Sequence, residues 1–126
     1  MGSYGGAPDV LARIQEVVEF ADAPLLNVNQ RGMFGNTPLK VACVWGDIDA
    51  ASFLLDAGAD VNAKNEDGYT ALHWAASLGN QRLASLLIER GAGRESTNDE
   101  GLTPRELARF RGDEAMALLL DPPTLA

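Results

Sequence analysis

Near the start of the chain, apolar residues recur at helical spacing. Val10, Leu11, Ile14, Val17 and Val18 share one side, while Arg13, Gln15, Glu16 and Glu19 keep the other side polar, as in a helix with one face against a core. The spacing predicts an N-terminal capping helix over 9–21. Further along, the pattern shortens. Leu72, Ala75 and Ala76 line one side of a short helix that Gly79 ends, and Leu83, Leu86 and Leu87 resume helical spacing until Gly91. Ahead of this pair, Asn65-Glu66-Asp67-Gly68 is a turn in which Gly68 can take a positive φ and Asn65 or Asp67 can bond the local backbone.

The same unit returns at a spacing of 33. Gly35, Gly68 and Gly101 fall in one column, Thr37, Thr70 and Thr103 in a second, and Gly46, Gly79 and Gly112 in a third. The sets Ala42/Ala75/Ala108, Ala51/Ala84/Ala117 and Leu54/Leu87/Leu120 agree as well. The threonines stand at helix N-caps, and Pro38 and Pro104 occupy the next position, where a helix needs no N–H. Thr103 with Glu106 three residues on reads as a capping box. A helix pair this small cannot bury its apolar face alone, so the copies are expected to stack.

The expected architecture is all-α, a solenoid of helix-turn-helix units forming a single domain over 1–126. It divides into an N-terminal cap or degenerate repeat at 9–30, repeats at 31–63 and 64–96, and a C-terminal capping repeat at 97–121. Leu25-Leu26-Asn27-Val28-Asn29 supports the leading unit, because Val28-Asn29 lies 33 residues before Val61-Asn62. The last helix is expected from Asp113 to Leu120, stopped by Asp121-Pro122-Pro123.

Three segments resemble the ankyrin consensus closely: Gly35-Asn36-Thr37-Pro38-Leu39, Leu54-Leu55-Asp56-Ala57-Gly58-Ala59-Asp60-Val61-Asn62, and Gly68-Tyr69-Thr70-Ala71-Leu72-His73-Trp74-Ala75-Ala76. The resemblance spans roughly 25–121. It departs at Arg105-Glu106-Leu107, as a terminal copy would, and at Lys40, which replaces the usual histidine. It implies an L-shaped stack with β-turn fingers, first helices lining a concave face and second helices forming the back. It also implies a protein-binding module that is not an enzyme. His73 takes from it a structural role, bonding the cap threonine and neighbouring loop backbone.

The resemblance also marks positions that the scaffold leaves variable. In the first copy these are Arg31, Met33, Phe34, Asn36, Val44 and Trp45, and in the second Lys64, Glu66, Asp67, Tyr69, Ser77 and Leu78. In the third they are Asp99, Glu100, Leu102, Phe110 and Arg111. Apart from Arg31 and Lys64, all of them are taken as partner-binding. Phe34, Trp45, Tyr69 and Phe110 are half of the eight aromatics in the chain, and aromatics and Arg are the usual interface anchors. The competing reading tucks Phe34 under the N-terminal cap and Phe110 under the C-terminal end. Trp74 is assigned to the core.

Charge narrows the partner. Eighteen acidic against ten basic residues give a formal net charge of -8, which repels phosphate backbones and attracts basic proteins. Glu66, Asp67, Asp99 and Glu100 would form an acidic edge on the fingers, so the expected partner is a protein, basic in character, with no nucleic acid and no membrane involved. No apolar run reaches the ~18 residues a spanning helix needs, and the N-terminus lacks a secretory pattern. A single cysteine, Cys43, allows no internal disulfide and fits a reducing compartment, so a cytoplasmic location is expected; its neighbours Val41 and Ala42 make it a small hydrophobe, and the free protein is expected to be a monomer.

Catalysis finds no support. The pairs Asp47/Asp49 and Asp99/Glu100 read as solvated turn and helix-start charges, and no calcium loop, phosphate loop or Ser/His/Asp set is present. No cofactor and no metal are expected. The main functional expectation is an adaptor or scaffold. Its alternative is an immunity-type inhibitor that neutralises a toxin enzyme, with acidic charge suited to masking a cationic site.

Overall fold

The computed structural model describes residue 10, residues 12–14 and residues 28–121. Of the helix expected at 9–21, Val10 and Ala12 to Ile14 are described. They are helical, with Val10 and Ile14 fully buried and Arg13 exposed. The rest of that helix, Leu25-Leu26-Asn27 and Pro122-Pro123 lie outside the described residues.

Six helices follow in three hairpins: α1 (Pro38–Trp45) with α2 (Ile48–Asp56), α3 (Ala71–Leu78) with α4 (Gln81–Glu89), and α5 (Pro104–Phe110) with α6 (Glu114–Leu119). Every regular element among the described residues after 30 is helical, apart from turns. The reversal inside a hairpin is tight because its glycine is left-handed. Gly79, at φ 71°, returns its N–H to the carbonyls of Ala75 and Ala76 and ends α3. Asn80 then caps α4 by accepting from the Leu83 N–H, and Asp47 and Asp113 do the same for α2 and α6 through Ala50 and Met116. Asp47 thus serves as a helix-start charge, in line with its reading from the sequence.

The first helices are capped unequally. Thr70 and Thr103 each form a reciprocal box, in which the hydroxyl accepts from the N–H three residues on and that residue's side chain accepts from the cap N–H. Thr37 stands at the same position without a side-chain cap bond, which corrects the equal treatment of the three threonines. The returning acceptor is His73 Nδ1 in one box and Glu106 Oε1 in the other. The first copy has Lys40 there, and an ammonium group has donors only.

α1, α3 and α5 form one layer and α2, α4 and α6 the other, with neighbours in the first layer packed more extensively. Ala42, Ala75 and Ala108 are fully buried in that layer, and Leu54 and Leu87 in the second. Small side chains let the first helices approach closely, while leucines fill the wider gap behind. At the last hairpin the inward pattern stops. Arg105 and Arg109 stand where Leu72 and Ala76 are buried one copy earlier, and Arg105 pairs with Asp121 at 2.9 Å.

Successive copies are also laced by hydrogen bonds that repeat with the sequence. Asn29 donates to the Gly58 carbonyl and accepts from the Asp60 N–H, and Asn62 does the same with Gly91 and Gly93. The side chains of Arg31 and Lys64 donate to the carbonyls of Lys64 and Thr97. At the finger tips the Glu66 N–H donates to the Phe34 carbonyl, and the Asp99 N–H to that of Asp67, both at 3.0 Å. Each finger is therefore held to the next by its own backbone.

Candidate functional site

Among the described residues, His73, Cys43 and Asp47 are engaged in the fold. His73 is fully buried, and its Nε2 lies 2.9 Å from the Leu102 carbonyl, which can only accept. The ring proton is therefore on Nε2, leaving Nδ1 to accept from the Thr70 N–H at 3.1 Å. Burial, the largest influence, lowers the pKa of this imidazole. The role implied by the family resemblance is the one seen. Cys43 is fully buried, and burial pushes its thiol up to about 12, so it is no nucleophile near neutral pH. Asp47 caps α2 and pairs with Arg13 at 3.2 Å. Among the described residues, no three His, Cys, Asp or Glu side chains converge as a metal site would require.

The exposed apolar residues are distributed differently. Among the described residues, the exposed large hydrophobics are Met33, Phe34, Val44, Trp45, Leu78, Phe110 and Leu118. All but Leu118 lie at positions singled out from the sequence. Phe34 is 59% exposed and Phe110 76%, so neither is tucked beneath an end of the stack. Val44, Leu78 and Phe110 lie in the last turn of α1, α3 and α5 or at its edge, and Trp45 closes α1.

Trp45, 40% exposed, is covered on one side by Arg13, whose guanidinium carbon lies 4.6 Å from the ring centroid. This contact is not legible in the sequence, because Arg13 belongs to the N-terminal segment and has no counterpart in the repeat. Arg111 is exposed, and its side chain donates to the Ser77 carbonyl at 2.9 Å, tying α5 to the end of α3. Ser77 itself is half-buried.

The fingers differ in construction. Asn65 Oδ1 accepts from the N–H groups of Asp67 and Tyr69, and Asn98 Oδ1 from those of Glu100 and Leu102. This local bonding holds Glu66, Asp67, Asp99 and Glu100 exposed, side by side on consecutive fingers. Gly32 takes the asparagine position in the first finger and has no side-chain acceptor. There Met33–Gly35 forms a single 3₁₀ turn with Phe34 at φ 62°. Phe34 is the only non-glycine residue described with a positive φ, a conformation costing an L-residue about 1–2 kcal/mol.

Not every expected site residue is presented to solvent. Asn36 is 4% exposed, donating to the Met33 carbonyl and accepting from Asn65 Nδ2 at 3.0 Å. It holds the finger together rather than facing a partner. Leu102 is half-buried and its carbonyl serves His73. Tyr69 is half-buried, its ring centroid 5.0 Å from Trp74 and 5.4 Å from His73. Trp74, assigned to the core, is only partly buried: it packs against the core while Lys40 Nζ lies 5.1 Å from its ring centroid. The equivalent positions in the other copies carry the smaller Val41 and Leu107, and Val41 is buried.

Comparison with known proteins places this architecture. Residues 39–88 match the family model described as ankyrin repeats (many copies). Over 48 residues the chain is 46% identical to the serine/threonine-protein kinase TNNI3K of Mus musculus, and equally to that of Rattus norvegicus. Those residues are 37% of this chain and 6% of either kinase, so the chain matches only a small part of the length of these curated relatives.

Proposed function

The chain is built of ankyrin repeats, and from that premise we propose that it is a non-catalytic interaction module that binds a partner protein through its concave face and finger turns. Stacked repeats generally serve as extended binding surfaces. The observation that carries the reading here is the placement of Met33, Phe34, Val44, Trp45, Leu78 and Phe110. These residues expose apolar area on the fingers and the adjoining ends of the first helices, where the stack does not use it. Phe34 adds an energetic argument, being exposed and backbone-strained at once. Strain of that kind persists where function holds it.

The acidic edge supports a basic partner. Glu66, Asp67, Asp99 and Glu100 would speed the encounter and fix its orientation, while the rings supply most of the affinity. The test is the double variant Phe34→Ala/Trp45→Ala, with the partner identified by crosslinking to the wild-type protein and mass spectrometry. Affinity should fall at least thirtyfold, on the order expected for two anchors, with the helical circular dichroism spectrum unchanged. Retained affinity in the folded variant overturns the assignment of the face.

A further inference from the structure

We propose that the face of Trp45 and the Asp47 carboxylate form a receptor for an arginine side chain, which Arg13 fills in the free protein and an arginine of the partner takes over on binding. The receptor gives a specific chemistry to the interaction surface proposed above, and it rests on that reading.

Both halves of the receptor are set by the first hairpin. Trp45 closes α1, Gly46 reverses the chain at φ 69°, and Asp47 caps α2. Asp47 Oδ1 accepts from the Ala50 N–H, which orients the carboxylate, and Oδ2 lies 3.2 Å from Arg13 Nη1. The same guanidinium stands over the Trp45 ring, its carbon 4.6 Å from the centroid. A planar cation can stack on a ring and pair with a carboxylate at once, a pose that a compact ammonium does not reproduce. The stack requires neither half. Leu78 and Asn80 stand at the equivalent positions of the second copy, where Asn80 caps its helix without a charge. The third copy has Asp113, but Arg111 in place of a ring. Among the three copies, ring and carboxylate meet only in the first.

Arg13 is also built to be displaced. Val10 and Ile14 on the same helix are fully buried and hold it to the stack. The Arg13 side chain is by contrast 44% exposed, and the Trp45 ring beneath it remains partly open. An open ion pair and an open cation–π contact are each weak, and together they should favour the filled receptor only about fivefold. A partner already held at Phe34 and the acidic fingers can overcome that. Its basic segment should therefore place an arginine, rather than a lysine, over Trp45.

The test titrates two end-blocked peptides of equal charge, Gly-Arg-Gly-Arg-Gly and its lysine counterpart, into the full chain at low salt by NMR. The arginine peptide should bind more tightly, and at saturation the Arg13 δ protons should lose the upfield shift that the Trp45 ring imposes. Arg13→Ala should bind the arginine peptide about fivefold more tightly and gain less for the lysine peptide. Asp47→Asn keeps a capping side chain, as Asn80 does, and should erase the preference for arginine. Arg13 δ protons that keep their ring shift in the saturated wild-type complex overturn the proposal, and that measurement needs no variant to fold. So does the absence of any preference for the arginine peptide, or an equal gain for both peptides in Arg13→Ala, which would reflect net charge alone. The wider interaction reading survives these failures, because a partner can still dock on Phe34 with Arg13 in place; the Phe34→Ala/Trp45→Ala comparison decides that reading separately.

Discussion

At the first finger Gly32 stands where the next two carry Asn65 and Asn98, and the consequences run through the whole turn. The asparagine fingers are organised from within by a side-chain oxygen that gathers two N–H groups. They present carboxylates on relaxed backbone, since Phe34 is the only non-glycine residue described with a positive φ. The first finger lacks that oxygen, folds as a single 3₁₀ turn and pushes Phe34 into the left-handed region. One edge of the stack is thus apolar and strained at one end, acidic and internally bonded at the other. Turn chemistry one or two residues away, rather than the helices beneath, decides which kind of surface a finger offers.

The second finger is the more vulnerable to a change at its turn glycine. A Cβ on Gly68, at φ 78°, would lie 2.7 Å from Asp99 Oδ1, 2.8 Å from Asp99 N and 3.0 Å from Asn98 Cα, so backbone must move. Gly68→Ala should cost about 3 kcal/mol, adding a left-handed penalty to a steric one. Gly101, at φ 80° with nothing within 4 Å, should lose only the conformational part, about 1 kcal/mol. Urea unfolding of the two variants measures the difference, and equal losses would mean that the fingers do not brace one another.

A smaller effect should sharpen the contrast. Gly32→Asn supplies the missing acceptor and should stabilise the chain by about 1 kcal/mol, the worth of a hydrogen bond, while returning Phe34 to negative φ. The Phe34 amide shift and its ³J coupling report the second change. No gain in stability would show that the first finger is shaped by its contact with Glu66 instead.

The smallest effect concerns pH. Burial lowers the His73 pKa below its ordinary 6.5, so the unfolded chain binds a proton more readily than the folded one. The stability this contributes is present above the unfolded value and is lost as pH falls below about 6.5. The unfolding midpoint should decline from pH 7 to pH 5.5, and His73→Gln should flatten the slope.

Much of this was legible in the residues. The 33-residue period located six helices, their glycine ends and the capping box at Thr103, because each depends on neighbours within a few positions. The same reading overestimated the cap at Thr37, although Lys40 was visible as the departure. It placed Phe34, Trp45 and Phe110 on an exposed face, where they are found, and counted Asn36 among them, which is buried. An asparagine that bonds across a junction and one that faces solvent are identical in sequence.

What the sequence determined by itself is local and periodic: turn, cap, short helix, reversal, second helix, repeated, with small residues marking where helices must touch. Side chains and backbone groups a few residues apart carry that information. Only the tertiary structure decided which groups found partners across a junction, such as Asn65 with Asn36 and His73 with Leu102, and which did not, such as the Asn98 amide. These outcomes depend on atoms some thirty residues apart meeting within about 3 Å, a condition that the stacking geometry sets and that no single copy contains.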